Sequence, residues 1–420
     1  MIINLKDPVV VKLETGLVIF YLLYLNTGFA LGSETNALSN FMSNLNYFIT
    51  FILVLPRANK ILYAFSKDIF LVSLVALSAA SFLWSVEPET SIRMGIGIIR
   101  VSLLGAYLAV RFSVQDLLKI IGLVLGVSAV WSLLVVFGMP GQGIRDGAWI
   151  GIYGHKNLLG RRMSLGAILF YFWALESRRW QPRPILWSLL SLSVLLVLMS
   201  KSFASLFLLI SLVAFIPFYK SIKNKADINL RVALLALLLF SSLSSAIVVL
   251  ENIATIFGLF GKDLSLTGRI PIWISMLQLS ADRPLLGYGV GNALWKIPAL
   301  VARTGQEWDA PDSHNGFVEL LVGLGVIGLS LFILSFITTS LKAIYYAQLK
   351  DSKTIQNFWL FQFMIILVIM NFSEDELFKA GTVWMYYVMI ALSVKMFVPR
   401  EYNFSNLHAE NRKNLYLFKH

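Results

Sequence analysis

DSHNGFVELLVGLGVIGLSLFILSFITTSL, residues 312–341, decides the fold. From position 315 to 341 its only charged side chain is Glu319. About 20 largely apolar residues suffice for a helix to cross the roughly 30 Å hydrocarbon core of a bilayer. The stretch is therefore a membrane helix with a polar head at Asp312-Ser313-His314-Asn315. Similar runs recur at 16–31, 38–55, 69–84, 92–110, 117–137, 163–176, 184–200, 203–219, 231–250, 357–372 and 382–398. The second is interrupted by Asn40, Asn44 and Asn46. The seventh and eighth are parted only by Ser200-Lys201-Ser202, a tight hairpin or one broken element.

Twelve spans would use about 240 residues. That matches a 420-residue chain that is 57% hydrophobic and 14% charged. Soluble chains carry about 25% charged residues. A soluble enzyme with a single anchor is excluded. The expected fold is an all-α polytopic membrane protein of about twelve transmembrane helices, with one long extracytoplasmic loop before helix 10. The expected organisation is transmembrane helices one to nine over 1–250 and a loop lobe with amphipathic helices over 251–314. Helices ten to twelve follow over 315–398, and a cytoplasmic tail over 399–420.

The net charge is +12, which in a soluble protein would suggest nucleic acid. Here it sorts by loop. With the N-terminus inside, inner loops hold Arg57, Lys60, Lys67, Arg111, Arg178, Arg179, Arg183, Lys220 and Lys223, while the outer loops at 32–37 and 85–91 hold no Lys or Arg. Cytoplasmic loops collect such cations, so the charge marks topology and no nucleic-acid partner is expected. Both termini are expected in the cytoplasm. The first apolar run, with no small-residue cleavage site after it, reads as a retained helix. The chain has no cysteine, and its histidines are only His155, His314, His408 and His420. That excludes thiolate metal sites and cysteine nucleophiles, and no cofactor or metal is expected.

Five constellations could carry chemistry. His314 lies at the outer mouth of the helix quoted above, where an imidazole can take a proton near neutral pH. Asp312 or Glu319 could orient it. The plainer alternative is a helix start, because Asp312, Ser313 and Asn315 are N-cap types. Leu266-Thr267-Gly268-Arg269 precedes an amphipathic stretch, 270–281, expected to lie on the outer leaflet, and Arg269 is a forked donor suited to phosphate. The glycines of 287–291, GYGVG, could let backbone N–H groups approach an anion; a turn is the alternative. In GIYGHKNLLGRR, 151–162, His155, Lys156, Arg161 and Arg162 run against the charge rule, beside Asn157. An anionic ligand or lipid head groups would explain them. Lys201 sits in a turn, ordinary for a solvated lysine. Arg93 and Arg100 share a helix face, and Arg100 needs a polar cavity or a partner such as Glu319.

DSHNGFVELLVGLGVIGL resembles the histidine-asparagine segment of the O-antigen ligase and polymerase superfamily. LTGRIPIW and RPLLGYGVGNA look like the segment before it. GIYGHKNLLG is similar to a segment of the exopolysaccharide-polymerase, or ExoQ-like, branch. The motifs fall within about 150–341 and in the family's order.

The resemblance implies a GT-C-like fold and a metal-independent glycosyltransferase of the bacterial inner membrane. Its donor would be a glycan on a polyprenyl diphosphate, and its acceptor another glycan or lipid-linked glycan. A chain-length regulator or export proteins would be further partners. His314 matches the family's proposed base, and Arg269 the arginine assigned to the diphosphate. Lys201 stands where ligases usually carry arginine, which tilts the reading towards a polymerase. An O-antigen ligase acting on lipid A core remains the alternative. A lipid-linked glycan transporter would share the spans and the cationic cavity without needing a base.

Overall fold

The computed structural model describes residues 8–27, 37–176, 183–214, 216–217, 269–302, 312–348, 354–372 and 374–396. The expected ninth span, 231–250, lies outside them, as do residues 251–268 and 303–311 of the expected loop lobe and the expected tail, 399–420. The described chain is helical apart from one small hairpin. α1 is Pro8–Thr27, α2 Ala37–Val54, α3 Ala58–Phe65, α4 Ile69–Ala80, α5 Pro88–Arg111, α6 Val114–Gly138 and the single turn α7 Pro140–Gly143. α8 is Lys156–Glu176, α9 Arg183–Met199, α10 Phe203–Ala214, α11 Arg269–Ser280, α12 Pro298–Ala302, α13 Gly316–Gln348, α14 Thr354–Asn371 and α15 Thr382–Met396. Among the described residues, six helical stretches are long and apolar enough to cross a membrane: Pro8–Asn26, Asn44–Phe65, Pro88–Arg111, Val114–Gly138, Lys156–Leu175 and Gly316–Ala347. Shorter apolar helices accompany them. A multi-pass membrane protein follows, since in lipid every backbone polar group must be paired within the helix.

Boundaries differ from the hydropathy runs where polar residues join helices. α5 starts at Pro88, whose missing N–H suits a first turn, so Arg100 lies about 18 Å along it. α8 starts at Lys156, before the apolar run, and takes Arg161 and Arg162 inside the bundle. α3 occupies what reads in sequence as an inner loop. The hairpin pairs Ile144–Arg145 with Ala148–Trp149 across Asp146 and Gly147, which have φ of 50° and 68°, the left-handed pair that suits a two-residue turn.

The core is a set of close helix pairings: α8 on α9, α5 on α15, α13 on α14. α10 turns away from α9 after Lys201 and packs mainly on α8 and α14. Its approach to α8 depends on Gly160, where a Cβ would lie 2.3 Å from Ser205 Oγ. A buried ion pair joins Lys395 of α15 to Asp68, which also caps α4 by accepting from the Leu71 N–H at 3.1 Å. Ser335 of α13 donates to the same carboxylate at 2.8 Å, and Tyr387 donates to Ser335 at 2.7 Å. Lys395→Met leaves Asp68 charged and without its cation. It is expected to cost about 3–5 kcal/mol, visible as a lower melting temperature in detergent. An unchanged melting temperature would show the pair to be dispensable.

α13 is broken. Gly325 has φ 65° and ψ −170°, about 13 Å from the Gly316 start. The break frees carbonyls and N–H groups, which the 284–289 segment takes up. Tyr288 N donates to Val322 O and Gly289 N to Gly323 O, each at 2.9 Å, while Val326 N donates to Pro284 O at 2.8 Å. Gly289 thus gives its N–H to the broken helix, and Gly287 donates to Arg283 O at 3.1 Å, so neither N–H is left for an anion. Gly287 lies against the Val322 carbonyl, where a Cβ would sit 2.3 Å away.

Candidate active site

His314 sits immediately before α13 with φ 53°, left-handed backbone. That conformation costs an L-residue of order 1 kcal/mol or more and persists only when neighbours enforce it. Three side chains do so. Asp312 Oδ1 accepts from His314 N at 2.9 Å. Asn315 caps α13, its Oδ1 accepting from Phe317 N at 3.0 Å and Val318 N at 3.2 Å. Glu319 reaches back to accept from Ser313 N at 2.6 Å and from Trp295 Nε1 at 2.8 Å. The helix-start reading is met by Asn315, which leaves the His314 imidazole out of the cap.

The imidazole faces carboxylates. His314 Nδ1 lies 3.3 Å from Asp312 Oδ1 and 3.8 Å from Glu374 Oε2, and its side chain keeps 24% exposure. Glu374 belongs to the loop between α14 and α15. It links to Asn157 of α8, whose Nδ2 donates to Glu374 Oε1 at 2.9 Å. Ser202, next to Lys201, donates to Asn157 Oδ1 at 2.9 Å. One chain of contacts thus joins the α9–α10 turn, the head of α8 and His314.

Arg161 and Arg162, 6% and 8% exposed, approach the same loop. Arg161 lies 3.9 Å from Glu374 and 3.7 Å from Glu376, and Arg162 lies 4.0 Å from Glu376. These distances exceed a hydrogen bond. Arg161 Nη1 and Arg162 Nε make no hydrogen bond, although Arg161 Nε holds Asn157 O at 3.1 Å. Two buried guanidinium groups thus retain donor capacity beside the histidine.

Lys379 bridges Asp312 at 3.0 Å and Asp375 at 2.9 Å. Burial alone would lower Lys379, but Asp375 and Asp312 hold its ammonium well above the ordinary value. Burial pushes Asp375 up to about 6, against the pull of Lys379 and with help from Asp312 and Glu376. A raised carboxyl contributes stability that is full below its ordinary value, 3.8, and lost as pH rises through about 6. Asp375→Asn is therefore expected to raise the melting temperature at pH 7.5 and not at pH 4. An equal gain at both pH values would contradict the burial of the charge.

The remaining candidates sit around this centre. His155 is exposed at the head of α8, its Nδ1 accepting from Asn157 N at 3.3 Å. Burial of part of the ring pushes its pKa down, opposed by Glu374. Lys156 opens α8. Arg269 opens α11, and Trp273 one turn later donates to Ser313 O at 2.8 Å, which docks that helix beside the histidine segment. Lys201 is exposed in left-handed backbone, with its Nζ 3.5 Å from where a Gly147 Cβ would stand. Arg100 is apart: its guanidinium lies over the Tyr47 ring, 4.8 Å from the centroid, instead of against Glu319. Among the described residues no three His, Asp or Glu side chains are placed to share a metal ion.

Sequence reading missed Glu374, Asp375, Glu376 and Lys379. They stand about 60 positions from His314 and read as a loop charge. Their signal was three consecutive acids followed by a lysine at the end of an apolar run.

These features define a class: a multi-pass membrane protein whose broken helix presents a histidine among carboxylates and buried arginines. Residues 188–333, which include Lys201, Arg269 and His314, match the O-antigen ligase family, as the motifs suggested. The chain is also similar to the exopolysaccharide production protein ExoQ of Rhizobium meliloti (strain 1021). The two are 24% identical over 373 residues, covering 83% of this chain and 81% of that protein.

Proposed function

We propose that the chain is an inverting glycosyltransferase that joins glycan units carried on a polyprenyl diphosphate, at the outer face of the bacterial inner membrane. The observation that carries this reading is His314, held beside Asp312 and Glu374, with Arg161 and Arg162 of α8 approaching the loop that carries Glu374 and Glu376. His314 takes the proton of an acceptor sugar hydroxyl. The hydroxyl oxygen attacks the anomeric carbon of the donor, and the bond to the diphosphate oxygen breaks with inversion. The imidazolium that results lies against two carboxylates, the arrangement that stabilises a protonated histidine. The departing diphosphate carries the negative charge, and Arg161 and Arg162 supply buried cations for it, joined by Arg269 in the role the family resemblance gives it. Lys201 adds charge at the edge, without the bidentate fork of arginine. Guanidinium groups do here what a metal ion does in other transferases.

The likeness to an exopolysaccharide production protein and the lysine at 201 favour a polymerase. The family description favours a ligase, and analysis of a deletion strain separates them. Lipid A core bearing single repeats indicates a lost polymerase; bare core with free lipid-linked polymer indicates a lost ligase. Purified protein supplied with a polyprenyl-diphosphate oligosaccharide tests the transferase itself. New glycosidic product is expected, whereas lipid that moves between leaflets unchanged would make the protein a carrier.

A further inference from the structure

A second basic cavity lies at the other end of the bundle. α5 has 24 residues and so runs about 36 Å. Near its start, Ser91 donates to Val290 O at 2.9 Å, beside the broken helix. At its far end Arg111 meets Arg57 of the turn after α2, and both bind one carboxylate, Glu14 of α1. Arg57 Nη1 lies 2.8 Å from Glu14 Oε1, Arg111 Nε lies 2.8 Å from Oε2, and Tyr107 donates to Oε1 at 2.7 Å. Lys60, exposed, completes the rim. Three cations face one carboxylate around a cavity of about 810 Å³ whose other walls include Val11, Leu55 and Val110.

The apolar side continues along the same seam. Between α2 and α5 runs a second cavity of about 540 Å³, walled by Tyr47, Phe51, Val54, Ile96, Ile99 and Leu103. From Val110 back to Ile99 is about 16 Å of helix, close to the length of an acyl chain. Arg100, the one cation on this wall, has its charge covered by Tyr47. Leu13 and Leu62 near the basic end are exposed at 70% and 67%, as residues facing lipid would be.

We infer that the α2–α5 seam binds an anionic phospholipid, its phosphate held by Arg57, Lys60 and Arg111 and one acyl chain laid along Tyr47 to Leu103. A basic pocket between helices at a membrane boundary recognises such head groups. A net charge of +2 at the rim, with an apolar groove attached, fits an anion with a tail better than a free anion. The site lies in the leaflet opposite His314, so it is separate from the donor glycolipid and independent of the chemistry proposed for His314. It ties α1, α2 and α5 together through a ligand that the membrane supplies.

Native mass spectrometry of the full-length protein in detergent provides the test, with dioleoyl phosphatidylglycerol and dioleoyl phosphatidylcholine as probes. The wild type is expected to retain phosphatidylglycerol about tenfold better than phosphatidylcholine. Lys60→Glu, at an exposed position outside the Glu14 pairs, reverses one charge and is expected to erase that preference. Ile99→Trp fills the apolar groove and is expected to weaken retention while leaving helicity by circular dichroism unchanged. Equal retention of the two lipids by the wild type would overturn the assignment. So would retention indifferent to both substitutions in folded protein. Displacement of phosphatidylglycerol by millimolar inorganic phosphate, with Ile99→Trp silent, would reduce the seam to a free-phosphate site and overturn the lipid.

Discussion

His314→Asn is expected to abolish polymer in cells and to lower the transfer rate of purified protein by about 10²–10⁴-fold, while the protein inserts and melts as the wild type does. The choice of asparagine matters. Position 314 is in left-handed backbone, which asparagine tolerates better than most residues, so the conformation that Asp312, Asn315 and Glu319 impose is kept. Only the base is removed. His314→Gly goes further, since glycine adopts positive φ without penalty, and is expected to match or exceed wild-type stability with no activity. Normal polymer from either variant would eliminate His314 as the base. Loss of polymer with loss of the protein from the membrane would instead assign it a structural role.

Arg161→Gln is expected to have the second-largest effect, and on two quantities together. Glu374 and Glu376 would lose their nearest buried cation, a change that costs about 3–5 kcal/mol when one partner of a buried pair is removed. The leaving diphosphate would lose one fixed charge, worth about 10²–10³-fold in rate. Arg161→Lys separates the two. It restores charge beside the carboxylates and so most of the melting temperature, but it lacks the planar fork for phosphate, and the rate stays low. A variant whose rate and melting temperature recover in parallel would make Arg161 a structural counter-ion only.

The membrane class was legible because hydropathy needs no tertiary information. Eleven of the twelve expected apolar runs coincide with a described helix, and the twelfth falls outside the described residues. The ends of helices were less legible. Lys156, Asn157, Arg161 and Arg162 look like loop in a hydropathy profile, yet they form the first turns of α8, because Glu374 and Glu376 arrive from another element to pair them. Burial of a charge depends on a partner that local sequence does not name. The same limit hid the 373–381 loop from the site, and it left Arg100 with a polar cavity or a carboxylate as alternatives where the structure lays it over the face of Tyr47. His314 was legible because its neighbours Asp312, Ser313 and Asn315 belong to one short segment. The role of the glycines at 287–291 was not, since Gly287 is small for the helix break 35 residues later and Gly289 and Gly291 for the residues around the start of α5, about 200 residues earlier.

That break has a mechanical consequence. With Val322, Gly323 and Val326 bonded to Pro284, Tyr288 and Gly289, the 284–289 segment acts as a splint. Lifting it would strand several backbone groups in a medium without water, at a cost of several kcal/mol. The splint and the lower half of the fractured helix must move as one rigid piece. Under the proposed function, a long glycan bound for His314 would not enter by peeling that segment away, and its route would run along the flanks, towards α11 and the Glu374 loop.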